Sequence, residues 1–339
     1  QNLTITSSTK VDTSAPAGKT GTWLLDPYNL TIDSASASVI SAALQNNNVT
    51  VQVQGNTCSG GTCTQGAGDL IIAPGVTIAK MGITPTTLTF LADGTFYNYG
   101  QITAAPSSIL NVVINANDIN LAQGSSIQAN QVTMVAQASV QGSGSIQTLG
   151  GQNLPSPMVQ VMANLFNFIG SISSNGNQSA GGTIRIQAGS ITLGRQGELQ
   201  ANGDDGGSIT LTSTSGPISI EGLVQTNGGV GRGGTISIQT STDLQVNTAT
   251  LQANGQTDGG QLLLIAPSGN LNLQASMIQT NGSTGRGGSI AISGSNNTLL
   301  VASTIEATGA TQGGTIKIGN DAQSGTLPFS IYTSIDAQT

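Results

Sequence analysis

The carboxy-terminal half of the chain repeats one motif at a nearly constant interval, and this repeat limits the fold more than any other feature. A Gly-Gly pair followed by alternating apolar and polar residues recurs at steps of 25 to 28 residues. Alternation with a period of two gives each short strand one apolar face. Self-similarity at such a period is typical of solenoid proteins. The six pairs begin at Gly181, Gly206, Gly233, Gly259, Gly287 and Gly313.

Each interval also holds two further short alternating segments, such as Ile218–Ile220 and Val224–Gly228. Three strands per interval, separated by glycine turns, predict one coil with apolar side chains inside and Thr, Ser and Gln outside. A single coil cannot bury its inner face, so the coils must stack. We therefore predict an all-β β-solenoid of about 13 coils of roughly 26 residues, forming a rod of roughly 60 Å. A β-sandwich is the alternative, although it needs no constant period.

Two rows of polar residues keep the same position in successive repeats. The first row consists of asparagines that precede glycine, a pair that suits turns with positive φ, and we expect it to stack as an amide ladder. The second row lies just before the Gly-Gly pairs and alternates in charge, so we expect a charge ladder that sets the register of the coils. The asparagines are Asn175, Asn202, Asn227, Asn254 and Asn281, and the charged residues are Asp205, Arg232, Asp258 and Arg286.

The amino-terminal half is less regular. Residues 1–170 contain strand patterns without the Gly-Gly period, and residues 171–339 contain the regular repeat. No polar linker separates the two parts, so we predict one continuous domain. The apolar run from Met158 to Ile169 is expected to cross the coil or to shield one of its sides. Neither terminus offers a cap for the exposed strand edges of the end coils.

Composition excludes several classes of function. The chain has no histidine, which removes the commonest acid–base catalyst and metal ligand. Its 8 Lys and Arg against 15 Asp and Glu give a net charge of -7, which argues against a nucleic-acid surface. No apolar run is long enough to span a membrane. We expect no cofactor and no metal site.

An enzyme active site would need clustered carboxylates, and the sequence offers one weak candidate. Asp204 and Asp205 are adjacent in a glycine turn, with Arg195 and Arg232 as the basic residues considered beside them. The remaining acidic residues considered are scattered singly, and we predict that the protein is not an enzyme. They are Asp118, Glu198, Glu221, Asp243 and Glu306.

The two cysteines, Cys58 and Cys63, are separated by Ser-Gly-Gly-Thr. A pair so close, with a flexible interior, can close a small disulfide loop in an oxidising compartment. Free thiols are the alternative. A zinc site is excluded because no other Cys or His is present to complete it.

Several segments resemble a known family. The segment Gly21–Ile32 (Gly-Thr-Trp-Leu-Leu-Asp-Pro-Tyr-Asn-Leu-Thr-Ile) resembles one typical of two-partner-secretion exoproteins, the filamentous-haemagglutinin-like adhesins. The segment Ile40–Val51 is similar to the helix-then-strand stretch that follows it in that family, and Asp69–Ile72 and Leu88–Ala92 continue the similarity. The resemblance implies a right-handed parallel β-helix, an outer-membrane secretion partner and a secreted or cell-surface location. Without a recognisable secretion domain or carboxy-terminal anchor, the chain resembles a shaft segment.

The residues and the resemblance favour the same function. Low charge and repetitive outward Thr, Ser, Gln and Asn suit a non-catalytic structural or adhesive shaft of a bacterial filament or adhesin. Expected partners are the secretion partner, further copies stacked end to end into fibres, and a receptor or glycan on a host or neighbouring cell. Nucleic acid is not expected. The alternatives are a polysaccharide-active β-helix enzyme and an ice-binding surface. An ice-binding surface would need outward Thr-x-Thr motifs in successive coils, and the threonines of this sequence do not form them.

Overall fold

The computed structural model describes residues 5–6, 8–13, 21–25, 27–55, 58–59, 62–63, 67–148, 150–151, 154–319 and 333–336. For residues 58–59, 62–63 and 333–336 the description covers the backbone. The chain divides into two compact units: unit 1 comprises residues 1–149 and 160–163, and unit 2 comprises residues 150–159 and 164–339. Within the described ranges, no helix is both long and apolar enough to cross a membrane.

The strands of residues 1–149 vary in length, and one helix lies among them. Long strands bend at bulges, and the longest of them, Thr86–Asn98, pairs with two earlier strands in succession. The elements are β1 (Thr22–Leu25), β2 (Leu30–Ile32), α1 (Ser34–Leu44), β3 (Asn48–Val53), β4 (Cys58–Ser59), β5 (Thr62–Cys63), β6 (Leu70–Ile72), β7 (Thr77–Lys80), β8 (Thr86–Asn98), β9 (Gln101–Ala104), β10 (Leu110–Leu121), β11 (Ser126–Ala129), β12 (Gln131–Gly142) and β13 (Ser145–Thr148).

Parallel pairing in register builds unit 1. One series runs β1–β3–β8–β10–β12, a second runs β2–β6–β8, and a third runs β7–β9–β11–β13. Alternate residues point inward, so Val49, Leu88 and Val112 stack above one another, each fully buried or nearly so. Burial of a branched aliphatic side chain stabilises the fold by about 1.5–3 kcal/mol, which makes this inner column the main source of stability.

Helix α1 forms where the sequence supplies both a cap and an apolar face. Asp33 is the N-cap, and its Oδ1 accepts a hydrogen bond from Ser36 N at 2.8 Å. Hydrogen bonds from Ser36 lower the pKa of the Asp33 carboxyl below its usual value. Ile40 and Leu44, four residues apart, are fully buried on the face that packs toward the strands. The helix-then-strand expectation for residues 40–51 agrees with α1 and β3.

The strands from residue 158 onward include two long ones, Met158–Phe168 and Thr183–Leu193, and from residue 208 short strands recur in threes. The strands are β14 (Met158–Phe168), β15 (Ser171–Ser173), β16 (Thr183–Leu193), β17 (Glu198–Gln200), β18 (Ser208–Ser213), β19 (Ile218–Ile220), β20 (Leu223–Gln225), β21 (Thr235–Thr240), β22 (Leu244–Asn247), β23 (Thr250–Gln252), β24 (Gln261–Ala266), β25 (Asn270–Gln274), β26 (Met277–Gln279), β27 (Ser289–Gly294), β28 (Asn297–Val301), β29 (Thr304–Glu306), β30 (Thr315–Ile318) and β31 (Thr333–Asp336).

Unit 2 stacks equivalent strands of successive repeats. The strands that follow the Gly-Gly pairs form the parallel series β16–β18–β21–β24–β27–β30. The third strands of the repeats form the series β15–β17–β20–β23–β26–β29. In the first series Ile209 pairs with Ile236, which pairs with Leu262, and all three are buried. A column of branched aliphatic residues therefore forms the core of this unit.

The prediction of an all-β parallel β-solenoid is confirmed, with coils of about 26 residues. The number of turns is about 11 rather than 13. The prediction divided the whole length by the period, whereas helix α1 and the antiparallel β4–β5 ribbon are insertions that add residues without adding a turn. The single continuous domain stays a prediction.

The expectation for the apolar run from Met158 to Ile169 is wrong. Residues Met158–Phe168 form strand β14. The run is apolar because the inward positions carry large side chains and some outward positions are apolar as well: Phe166 and Phe168 are fully buried, while Leu165 and Ile169 are exposed.

Candidate functional site

The asparagine row of unit 2 lies in register along successive coils. The side-chain oxygen of each asparagine accepts a hydrogen bond from the backbone N–H of the equivalent residue in the next coil. The bond from Asn227 N to Asn202 Oδ1 is 2.7 Å, and that from Asn254 N to Asn227 Oδ1 is 2.9 Å. The same bond joins Asn202 to Asn175, Asn281 to Asn254, and Thr308 to Asn281 at 2.7–2.8 Å. The row therefore joins coils through side chain and backbone.

The expectation of positive φ at these turns is wrong. Neither the asparagines of the row nor the glycines after them have φ in the left-handed range. Glycine is required for another reason: a Cβ at Gly228 would collide with the carbonyl oxygen of Arg232, and one at Gly255 with that of Asp258. The backbone approaches too closely there for any side chain.

A second amide column lies beside the first and was not predicted. Gln225 Nε2 donates to Gln252 Oε1 at 2.6 Å, and Gln252 Nε2 donates to Gln279 Oε1 at 2.8 Å. The column ends on a carboxylate, because Gln279 Nε2 donates to Glu306 Oε2 at 2.8 Å. Asn281 Nδ2 also donates to that oxygen, at 3.2 Å, which links the two columns. The signal was present in the sequence, since Gln or Glu stands two residues before every position of the row from Asn202 to Thr308, although not before Asn175.

The charged row acts mainly through its carboxylates. Asp205 Oδ1 accepts from Arg232 N at 2.8 Å, and Asp258 Oδ1 accepts from Arg286 N at 2.9 Å. Arg232 and Asp258 also form an ion pair at 3.4 Å, with the arginine side chain 75% exposed. Exposed pairs contribute little, so the backbone hydrogen bonds are the stronger contacts.

The carboxylates that were considered for catalysis are spread along the coils. Asp118 accepts from Ser139, Asp243 accepts from Asn270 N at 2.8 Å, and Glu221 pairs with Arg195 at 3.3 Å. In each case the partner lies 21 to 27 residues away, which is one coil. Glu198 accepts from Gln200 within its own strand. Among the described residues, no three Cys, Asp or Glu side chains come close enough to hold a metal ion.

Helix α1 covers the edge of strand β7, contrary to the expectation that no cap exists. Ala79 N donates to Ser41 Oγ at 2.9 Å, and Gln45 Nε2 donates to Ala79 O at 3.2 Å. Gln45 Oε1 accepts from Met81 N at 3.0 Å and from Gly82 N at 2.6 Å. These bonds satisfy backbone groups that would otherwise form an open sheet edge. The cap was not predicted from the sequence, because Ser41 and Gln45 belong to a helical segment whose pattern is only weakly amphipathic.

A buried lysine lies beneath this cap. Lys80 occupies an inward position of β7 and has no exposed surface, and its Nζ donates to Gln45 O at 2.8 Å. The ammonium thus lies at the carboxy-terminal end of α1, where the helix dipole favours positive charge. Burial nevertheless lowers the pKa of Lys80 from 10.5 to about 8, because the charged form loses its hydration.

A shallow groove of about 410 Å³ lies on the outer face of unit 1. It forms where β8, β10 and β12 bulge together: β10 has one residue, Asn117, where β8 and β12 each have two. Its outward lining combines two apolar residues, Leu91 and Val135, with the polar Asn115, Asp93 and Gln137. Asp93 Oδ2 accepts from Gly55 N at 2.8 Å, which holds the carboxylate in place.

The cysteine prediction concerns side chains outside the described part of the structure. The backbone places Cys58 directly opposite Cys63 in the antiparallel β4–β5 ribbon. The disulfide and the free thiols both stay open.

No protein-family model matches the chain, and no curated protein matches it. Among solved structures, the chain is similar to the HMW1 secretion domain from Haemophilus influenzae. The identity is 16%, the match covers 92% of each chain, and the TM-score is 0.46.

Proposed function

We propose that this chain is a non-catalytic structural and adhesive shaft of a secreted or surface-displayed bacterial protein. The proposal rests on one observation, which is that the carboxylates form bonds between neighbouring coils. Asp118, Asp205, Glu221, Asp243 and Glu306 each bond to a residue one coil away. Acidic groups engaged in stacking coils are spaced along the solenoid, whereas glycoside cleavage needs two of them facing each other across one bond.

The alternative function is a polysaccharide-active enzyme, and a direct assay separates the two. The purified chain would be incubated with uronic-acid and neutral polysaccharides, and the release of reducing ends and unsaturated products measured. We expect no release above that of a heat-inactivated sample. Release that disappears in the variant Asp204→Asn/Asp205→Asn would refute the shaft proposal, because that pair is the acidic cluster the sequence offers.

The groove above β8, β10 and β12 supports the adhesive part of the proposal. Amide and carboxylate groups suit sugar hydroxyls, and Leu91 and Val135 offer apolar surface to the C–H face of a ring. We assign it to a neutral glycan chain. The variant Asn115→Ala should weaken glycan binding at least about tenfold, whereas Asn111→Ala, on the same strand outside the groove, should leave it unchanged. Equal binding by both variants and the parent would remove the groove from the proposal.

The location and the secretion partner rest on the resemblance of segments such as Gly21–Ile32 to two-partner-secretion exoproteins. Protease treatment of intact producing cells tests both. We expect the chain to be digested at the cell surface or found in the medium, and to stay inside when the gene for the outer-membrane partner is deleted. Protection in both strains would overturn the localisation.

The cap formed by helix α1 limits which surfaces of the chain can take part in end-to-end stacking into fibres. A second copy cannot pair with β7 while Ser41 and Gln45 bond to Ala79. We therefore propose that stacking does not use this edge. Sedimentation of the parent and of Ser41→Val should show the same state of association, because the edge of β7 takes no part in stacking. Concentration-dependent assembly of Ser41→Val alone would show that the cap blocks a surface otherwise able to associate, and assembly of the parent would place the stacking surface elsewhere.

A further inference from the structure

The five Asn-Gly pairs of this chain all lie in the single asparagine row of unit 2. They are Asn175-Gly176, Asn202-Gly203, Asn227-Gly228, Asn254-Gly255 and Asn281-Gly282. Asn-Gly is the dipeptide most prone to intramolecular deamidation in a flexible chain, since glycine leaves its own backbone nitrogen unhindered, and asparagine is among the thermolabile residues of proteins. The chain thus places every one of these reactive pairs at one equivalent position in successive coils.

The fold engages both reacting groups in hydrogen bonds between coils. The nucleophile is the backbone nitrogen of the glycine, and its N–H donates to the next coil: Gly228 N to Asn254 O at 2.8 Å, and Gly255 N to Asn281 O at 2.9 Å. The electrophile is the side-chain amide carbon of the asparagine. Its oxygen accepts from the next coil as well, at 2.9 Å for Asn227 and 2.7 Å for Asn254. The glycine nitrogen can attack only when its N–H is released from the next coil, and the bond to Oδ1 fixes the side-chain amide in place, so the reaction requires the coil to open.

We propose that this row is a set of latent self-modification sites, at which asparagine is converted to aspartate or isoaspartate only after a coil opens. The glycine nitrogen forms a bond to Cγ of the preceding asparagine and gives up its proton, the Cγ–Nδ2 bond breaks, and the amide nitrogen leaves as ammonia. Water then opens the resulting succinimide at one of its two carbonyls. No oxidant, reductant or metal takes part.

The modification cannot be reversed by refolding. Isoaspartate adds one atom to the main chain, which shifts the register of the strand that follows and removes its pairing with both neighbouring coils. A coil that opens for long enough therefore keeps the modified residue after it closes. The modified residues in the row then show which coils have unfolded.

The test compares deamidation of the full chain when folded and when held in guanidinium chloride, at the same mildly alkaline pH and temperature. Peptide mapping by mass spectrometry gives the rate at each of the five sites. We expect every site to react at least about tenfold more slowly in the folded chain, which corresponds to an opening free energy of about 1.4 kcal/mol or more. Equal rates in the two states overturn the proposal.

A local variant tests whether the hydrogen bonds between coils give the protection. Thr308 N donates to Asn281 Oδ1 at 2.8 Å, and Gly282 N donates to Thr308 O at 2.8 Å. Thr308→Pro removes the first bond and leaves the second acceptor in place, and Thr308→Ser is the matched control. We expect faster deamidation at Asn281 alone in Thr308→Pro. No change at Asn281, or an equal increase at all five sites, overturns protection coil by coil.

Discussion

The two units stack their coils by different means. In unit 1 the distance along the chain between residues that meet varies: for example, it is 20 residues between Leu110 and Asn130 and 39 between Asn48 and Thr87. In unit 2 the paired residues of strands β15 to β30 lie 25 to 28 residues apart. A column of identical side chains requires the same residue at the same place in every coil, so the constant period makes the amide columns of unit 2 possible.

The buried amides Asn47 and Asn130 of unit 1 act singly instead. Each accepts one backbone N–H: Thr13 N to Asn47 Oδ1 at 2.7 Å, and Leu110 N to Asn130 Oδ1 at 2.7 Å. Each of these asparagines accepts from a backbone N–H at a turn that does not recur in other coils. The comparison teaches that a regular sequence distributes stability over repeated weak contacts, whereas an irregular one depends on individual buried groups.

The largest expected effect tests the close packing of the regular unit. A Cβ at Gly259 would collide with the carbonyl oxygen of Thr280, a backbone atom that cannot move aside, whereas a Cβ at Gly313, the equivalent glycine two repeats later, meets nothing within 4 Å. Gly259→Ala should lower the free energy of unfolding by more than about 3 kcal/mol. Gly313→Ala should be neutral or slightly stabilising.

Circular dichroism in a denaturant series measures this difference. The fluorescence of Trp23, the single tryptophan, follows unit 1 in the same samples, since it lies in β1. Equal losses for the two alanine variants would mean that the Gly-Gly pairs serve something other than close packing.

The second effect belongs to unit 1 and depends on pH. Below about pH 8, Lys80 is protonated in both the folded and the unfolded chain, and the cost of burying its charge is present in full. Between about pH 8 and 10.5 the unfolded chain binds a proton that the folded chain does not. The free energy of unfolding should therefore rise with pH in this window, by up to about 3 kcal/mol, and level off above it.

Lys80→Met should remove this rise, because the buried ammonium is gone. Lys317→Met, which removes an exposed lysine of unit 2, should keep it. Urea unfolding followed by Trp23 fluorescence at intervals from pH 7 to pH 10.5 gives the slopes. The same slope in Lys80→Met as in the parent would show that Lys80 does not titrate in this range.

The sequence predicted what is repeated and missed what occurs once. The Gly-Gly period led to the solenoid, and the recurrence of Asn202 and Asp205 in later coils pointed to rows that the structure places in register. The cap on β7 has no such signal: Ser41, Gln45 and Lys80 each occur in one coil, and alternation alone places a charged residue, Lys80, where an apolar one is expected.

The groove also escaped prediction, for a geometric reason. Its shape depends on bulges that put two residues of β8 and of β12 opposite the single Asn117 of β10. Each bulge is defined by the pairing of strands from coils of unequal length, and the sequence of one strand does not contain that information. The positive φ expected for Asn-Gly failed similarly, because the constraint comes from the neighbouring coil.

The third effect tests a single hydrogen bond between coils in the asparagine row. Asn227→Ala removes the oxygen that accepts from Asn254 N at 2.9 Å and leaves that N–H unpaired, so the free energy of unfolding should fall by about 1–2 kcal/mol. Asn227→Asp keeps the acceptor and should stay within about 0.5 kcal/mol of the parent. Chemical denaturation followed by circular dichroism compares the two. If Asn227→Asp lowered the free energy of unfolding as much as Asn227→Ala, the stabilising group at this position would be the amide nitrogen and not the oxygen.

The smallest effect separates charge from hydrogen bonding in the charged row. Arg232→Gln removes an ion pair whose arginine side chain is 75% exposed, and should change the free energy of unfolding by less than about 0.5 kcal/mol. Asp258→Ala removes the acceptor of Arg286 N at 2.9 Å and should cost about 1 kcal/mol, while Asp258→Asn keeps an oxygen there and should recover most of it. Because salt screens charges and leaves backbone hydrogen bonds nearly unaffected, the loss in Asp258→Ala should persist at high ionic strength. A loss in Arg232→Gln as large as that in Asp258→Ala, and abolished by salt, would instead make charge alternation the cause of the register. Unit 2 would then be held by electrostatics along one edge, and its contrast with the singly buried amides of unit 1 would lie in the kind of interaction rather than in its repetition.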